Sequence, residues 1–94
     1  MKIVGREALV RFCQAHPDCR PWVSTWLAFA NGATWNTPQD IKRRYSTASF
    51  LAKNVVIFNV RGNTYRMVTT VAYRVGVVVV DWIGTHVEYD KKFC

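Results

Sequence analysis

Within one otherwise apolar stretch and its continuation, a few polar side chains stand out: Asn59, Arg61, Arg66, Asp81, Thr85, His86, Glu88, Tyr89, Asp90, Lys91 and Lys92. Arg, His, Tyr and Lys gathered near the strand ends of a small basic sheet make a candidate RNA-cutting surface. A plainer alternative treats Arg66 as a solvated strand residue and His86 as a capped turn residue. A second group, Cys13, His16 and Cys19, is worth testing as a metal site. Metal binding needs a closed cluster of ligands, and the chain has no CxxC spacing. The expectation is no metal site and no small-molecule cofactor, with Cys13, Cys19 and Cys94 as ordinary thiols.

The polar residues need strands to place them. Val55–Val60, residues 64–73 and residues 77–83 are rich in Val, Ile, Phe, Tyr and Thr, which fit a pleated, half-buried surface. Arg61-Gly62-Asn63 reads as a tight hairpin loop, with Gly and Asn supplying the positive φ. Arg74-Val75-Gly76 is a second turn. Loops this short dictate an antiparallel meander. Its third strand then runs back beside the second and delivers residues 85–91 next to Arg66.

Helices come first along the chain. Ala8, Leu9, Phe12 and Cys13 form one apolar stripe over Arg6–Ala15. His16-Pro17-Asp18 breaks that helix, and Asp18 is a natural N-cap for the next. The next helix spans 19 to 29 or 30, with Trp22, Val23, Trp26, Leu27 and Ala30 on its apolar face and Asn31-Gly32 as its stop. Thr37-Pro38-Gln39-Asp40 starts a short helix, Pro38–Arg44. The expected fold class is α+β: a small antiparallel β-sheet with the N-terminal helices packed on one face. Residues 1–94 are expected to form a single domain.

Charge narrows the partners. Thirteen Lys and Arg against six Asp and Glu give a net charge of +7, which favours an anionic partner such as nucleic acid, the ribosome or an acidic protein. Lys42, Arg43, Arg44 and Lys53 add a basic run before the sheet and are candidates for phosphate contact. Val77 to Val80 is too short to cross a membrane, and no signal peptide is visible, so a cytoplasmic protein with no membrane partner is expected. No recognition helix with base-reading residues supports DNA binding.

Asn59-Val60-Arg61-Gly62-Asn63-Thr64-Tyr65-Arg66-Met67-Val68 resembles the FNxxGNxYRLV hairpin of HigB-type toxins in the RelE superfamily. Gly84-Thr85-His86-Val87-Glu88-Tyr89-Asp90-Lys91 resembles their GTHxEYDK motif. His16-Pro17-Asp18 and Thr37-Pro38-x-Asp40-Ile41-Lys42-x-x-Tyr45 also fit the family's layout. The resemblance implies a RelE-like α+β toxin domain. It implies a ribosome-dependent mRNA interferase without a metal, the toxic half of a type II pair, held inactive by a helix-turn-helix antitoxin. Asp81 stands where the family commonly carries Arg or Lys. That departure keeps open an alternative, a non-catalytic RNA- or ribosome-binding module that still binds an antitoxin.

Such cleavage, by attack of a 2′-hydroxyl on the adjacent phosphate, needs a proton acceptor, a proton donor and fixed positive charge. His86 is suited to acid or base work because its reference pKa lies near neutrality. Arg66 can grip a phosphate with two parallel hydrogen bonds. Tyr89 can donate a proton or stack on a base, and Lys91 adds positive charge. The expected catalytic set is therefore Arg66, His86, Tyr89 and Lys91. Lys42, Arg43, Arg44, Lys53, Arg61 and Lys92 are the expected RNA contacts.

Overall fold

The frame is a three-stranded antiparallel meander: β3 (Val55–Val60), β4 (Tyr65–Ala72) and β5 (Val77–Thr85) in the numbering used below. The computed structural model describes residues 1–93; Cys94, the third thiol, lies outside them. Before the meander come β1 (Lys2–Val4), α1 (Arg6–Ala15), α2 (Arg20–Gly32), α3 (Pro38–Arg44) and β2 (Ser49–Phe50), and after it α4 (His86–Phe93). The fold is α+β, with four α-helices and one five-stranded sheet among the described residues.

The strand order is β1-β5-β4-β3-β2. The sheet is mixed rather than wholly antiparallel. β1 joins its edge in parallel, with Lys2 opposite Val77 and Val4 opposite Val79. A left-handed Gly5 (φ 94°) turns β1 directly into α1. A Cβ on Gly5 would stand 2.7 Å from the Val80 carbonyl oxygen of β5, so only glycine lets the chain pass this close to the sheet.

α1 and α2 cover one sheet face. Leu9, Cys13, Val23, Trp26 and Ala30 pack with Ile41 of α3 against Val56, Phe58, Val60, Met67, Val71 and Val78. Trp26 is fully buried and meets Phe58 edge to face at 5.5 Å, so it is core rather than a stacking platform. The other face is not left to solvent. There α4 docks Tyr89 on Ile57 and Val68, flanked by Val55 and Trp82. The expected packing on one face thus holds for the N-terminal helices, while α4 covers part of the opposite face.

A β-bulge makes the second face possible. Val68 pairs with Trp82 and Thr69 with Val80, so Asp81 is the extra residue in β5. Strict alternation would set Trp82 on the same side as Val78 and Val80. The bulge resets the phase and brings Trp82 to the α4 side. Asp81 accepts a 2.6 Å hydrogen bond from the Thr70 hydroxyl.

Three local expectations change. Asp18 does not cap α2; it lies in a short 3-10 turn, Pro17–Cys19, and its carboxylate reaches the sheet instead. Gly32 is inside α2, which ends at Ala33 in an extended conformation. In the first hairpin the positive φ values fall on Arg61 (52°) and Gly62 (67°), not on Asn63.

Candidate active site

Arg66 enters the site from β4, across from Asn59 of β3 and Gly84 of β5. It is half-buried on the face that carries α4. Its guanidinium carbon lies 4.9 Å from the centre of the Tyr89 ring, within cation–π range. One terminal nitrogen donates to the Asn63 side-chain oxygen at 3.1 Å. Its Nε is buried and without a hydrogen-bond partner among the described residues. The side chain is thus fixed from below by an aromatic ring and from the turn by an amide.

The β5–α4 junction places His86. Thr85 is the N-cap of α4, and its hydroxyl accepts from the Glu88 N–H at 3.1 Å. The Glu88 carboxylate accepts from the Thr85 N–H at 2.8 Å. This reciprocal capping box holds the first turn, and loss of such a cap costs about 1 kcal/mol. The bonds to Thr85 hold the Glu88 carboxyl below its ordinary pKa. His86 donates its backbone N–H to the Thr64 carbonyl, which ties the helix start to the hairpin. Its Nδ1 lies 3.2 Å from an Asp90 carboxylate oxygen one turn later. Nε2 makes no hydrogen bond among the described residues. A carboxylate this close to Nδ1 biases the ring's orientation.

Tyr89 is 9% exposed, and its ring serves as a support for Arg66. It stacks on Phe93 at 5.0 Å and tilts against Trp82 at 6.2 Å. Gly84, directly across from Arg66, is buried, and any Cβ there would collide with the Trp82 ring. Lys91 and Lys92 are exposed on α4, Lys92 lying 5.9 Å from the Phe93 ring centre. Arg66 and Tyr89 are therefore in contact, and His86 and Lys91 lie on the same helix as Tyr89.

The other expected RNA contacts are scattered. Arg61 forms a 2.6 Å ion pair with Asp18. That carboxylate also accepts from the Tyr65 hydroxyl at 2.7 Å, which pushes the Tyr65 pKa up to about 12. Arg43 is paired with Asp40 at 2.8 Å. Arg44 lies over Phe29, and Lys42 lies 5.6 Å from the Phe50 ring centre. Lys53 sits in the turn before β3, at the end of the sheet away from Arg61. Six strand residues separate the two positions, roughly 20 Å.

Cys13 and Cys19 are buried thiols with their sulfurs 3.1 Å apart. Burial, together with the Cys13 contact, pushes the Cys19 thiol up to about 12. His16 stacks on Phe12 at 4.4 Å and meets Tyr65 edge-on, so it is engaged as an aromatic ring. Among the described residues no group of three or more His, Cys, Asp or Glu is placed to hold a metal ion. None of the helices among the described residues is long and apolar enough to cross a membrane.

Two site residues escape the sequence reading. Asn63 binds Arg66 rather than shaping the turn by its own φ, and Asp90 holds His86. The Asp90 signal was available: Thr85-x-x-Glu88 is a capping-box pattern, and a helix starting there puts His86 and Asp90 on one face.

Taken together, these features define a class: a basic α+β protein whose candidate site lies where a β-hairpin meets the helix after the sheet. The HigB toxin family, the RelE-like toxic component of a toxin-antitoxin system, matches residues 19–92, and the chain belongs to it. It is accordingly a toxin of a toxin-antitoxin system, with an antitoxin as its partner. No curated protein matches the chain at a significant level.

Proposed function

We propose that the chain is a single-domain cytoplasmic mRNA interferase, a metal-independent endoribonuclease that cuts mRNA on the ribosome and is neutralised by a helix-turn-helix antitoxin. The observation that carries this reading is the pairing of a pre-set cation with an oriented imidazole. Arg66 lies over Tyr89, and the His86 Nδ1 stands 3.2 Å from an Asp90 carboxylate oxygen, on adjoining elements. In the proposed reaction the 2′-hydroxyl attacks the neighbouring phosphorus. The Nε2 of His86 accepts the proton of that hydroxyl while solvent water protonates the departing 5′-oxygen, or gives a proton to that oxygen while water takes the hydroxyl proton. Arg66 stabilises the charge that builds on the phosphoryl oxygens. Lys91 and Lys92 raise the local positive potential, and Lys42, Arg43, Arg44, Lys53 and Arg61 contribute diffuse attraction to RNA. Tyr89 positions Arg66.

Asp81 does not oppose this reading. Its carboxylate is spent on Thr70, four residues along β4 from Arg66, roughly 13 Å away.

The test is expression of Arg66→Ala and His86→Ala chains, each first shown to fold and to bind antitoxin, followed by primer extension on bulk mRNA. Each is expected to lose cleavage about a hundredfold. Full toxicity of both folded variants refutes the assignment.

A further inference from the structure

The helical side of the β3–β4 hairpin carries an open groove of about 630 Å³, on the opposite sheet face from Arg66. Its walls are Trp22 and Thr25 of α2, Arg44 and Tyr45 at the end of α3, and the Asp18–Arg61 pair. Aromatic and cationic side chains both line it. Trp22 and Tyr45 lie 5.8 Å apart, both half-buried. The Arg44 guanidinium lies 5.4 Å from Tyr45 and 4.2 Å from Phe29, which is 47% exposed at the rim. The Tyr45 hydroxyl is buried without a hydrogen-bond partner among the described residues.

We propose that this groove is a nucleotide subsite: it seats one base of single-stranded RNA against Trp22 and Tyr45, with the flanking phosphates on Arg44 and Arg61. The inference rests on the reading that RNA is the ligand of this chain. Bases offer a flat π-face for the aromatic rings. A base's exocyclic amine can donate to Asp18. Arg61 commits one nitrogen to Asp18, and a guanidinium has further donors for a phosphate. A strand seated here reaches Arg66 by rounding the 61–64 turn, so the groove holds RNA outside the cleavage site.

The experiment measures fluorescence anisotropy of a labelled 2′-O-methyl oligoadenylate, whose bases carry the exocyclic amine and which cannot be cut by 2′-hydroxyl attack. Arg44→Gln is expected to weaken binding about tenfold and to lower the log-log salt slope by about 0.7. Thr25→Asp, at an exposed groove position, should weaken it at least as much. Trp22→Leu should weaken it about tenfold with the slope unchanged. Arg74→Gln, the same charge change in the far β4–β5 turn, should alter affinity less than about twofold. If Arg44→Gln and Arg74→Gln act alike, net charge alone is at work and the subsite is refuted. Failure of the unaltered chain to bind the oligomer, or equal competition by duplex RNA, also overturns it. A chain that binds through the groove yet cuts no RNA keeps this inference and loses the nuclease reading.

Discussion

Tyr89 offers the sharpest separation of support from chemistry. If its ring holds Arg66 in place, the hydroxyl is dispensable and the ring is not. Tyr89→Phe keeps the 4.9 Å contact to the guanidinium and the contacts to Phe93 and Trp82. Its cleavage rate is expected to stay within about threefold of the unaltered chain, since less than 1 kcal/mol is at stake. Tyr89→Leu removes the ring. A half-buried cation–π contact is worth about 1 kcal/mol, and each aromatic pair about 0.5–1.5 kcal/mol. The retained apolar bulk recovers part of this, which leaves a loss of about 2 kcal/mol. For a chain of this size that lowers Tm by roughly 8–16 °C. Releasing Arg66 should also reduce cleavage about tenfold at temperatures where the variant is folded. Thermal denaturation and primer extension on the same preparations give both readouts. A folded Tyr89→Phe chain that loses cleavage a hundredfold would refute the argument, because the hydroxyl would then be a proton donor.

Acid should destabilise the protein through three carboxylates. The Tyr65 hydroxyl holds Asp18 below its ordinary pKa, the Asn36 N–H does so for Asp40, and the Thr85 N–H for Glu88. A depressed folded-state pKa contributes stability above the ordinary carboxylate range, and that contribution fades as pH falls through it. Tm against pH should therefore decline on the acid side, and Asp18→Asn, Asp40→Asn and Glu88→Gln should each flatten the curve; an unchanged slope in all three refutes this. Gly84→Ala should displace Trp82 and loosen α4, seen as lost near-ultraviolet circular dichroism and a lower Tm. Unchanged spectra and Tm would show that Trp82 relaxes freely. Ribosome or RNA binding should weaken steeply as salt rises, given the +7 charge, and a flat dependence removes the electrostatic reading.

Local signals carried the sequence reading where an element's identity depends on its own residues. Arg6–Ala15, Pro38–Arg44 and Val55–Val60 occur with the expected bounds, since stripe, cap and β-branched content decided them. β1 was illegible because three residues carry no period and their partner, Val77 to Val79, lies at the other end of the sequence. α4 is not apparent from residues 86–93 alone, because its single buried anchor, Tyr89, has meaning only once β3, β4 and β5 present Ile57, Val68 and Trp82. Asp18 had the pattern of a cap, but Tyr65 and Arg61 outbid the α2 amides across the fold. The Asp81 bulge is a register property of two strands, and neither strand alone announces it.

The pairing of β1 with β5 and the seating of α4 on the finished sheet have a consequence for the order of events during synthesis. The strand that emerges first has no partner until β5 follows, and Arg66 has no support until Tyr89 arrives after that. Contacts so distant along the chain close late, after most of the polypeptide has been made. The candidate active surface is therefore absent from the nascent protein until α4 has been made. For a toxin, this leaves an interval in which an antitoxin can be waiting.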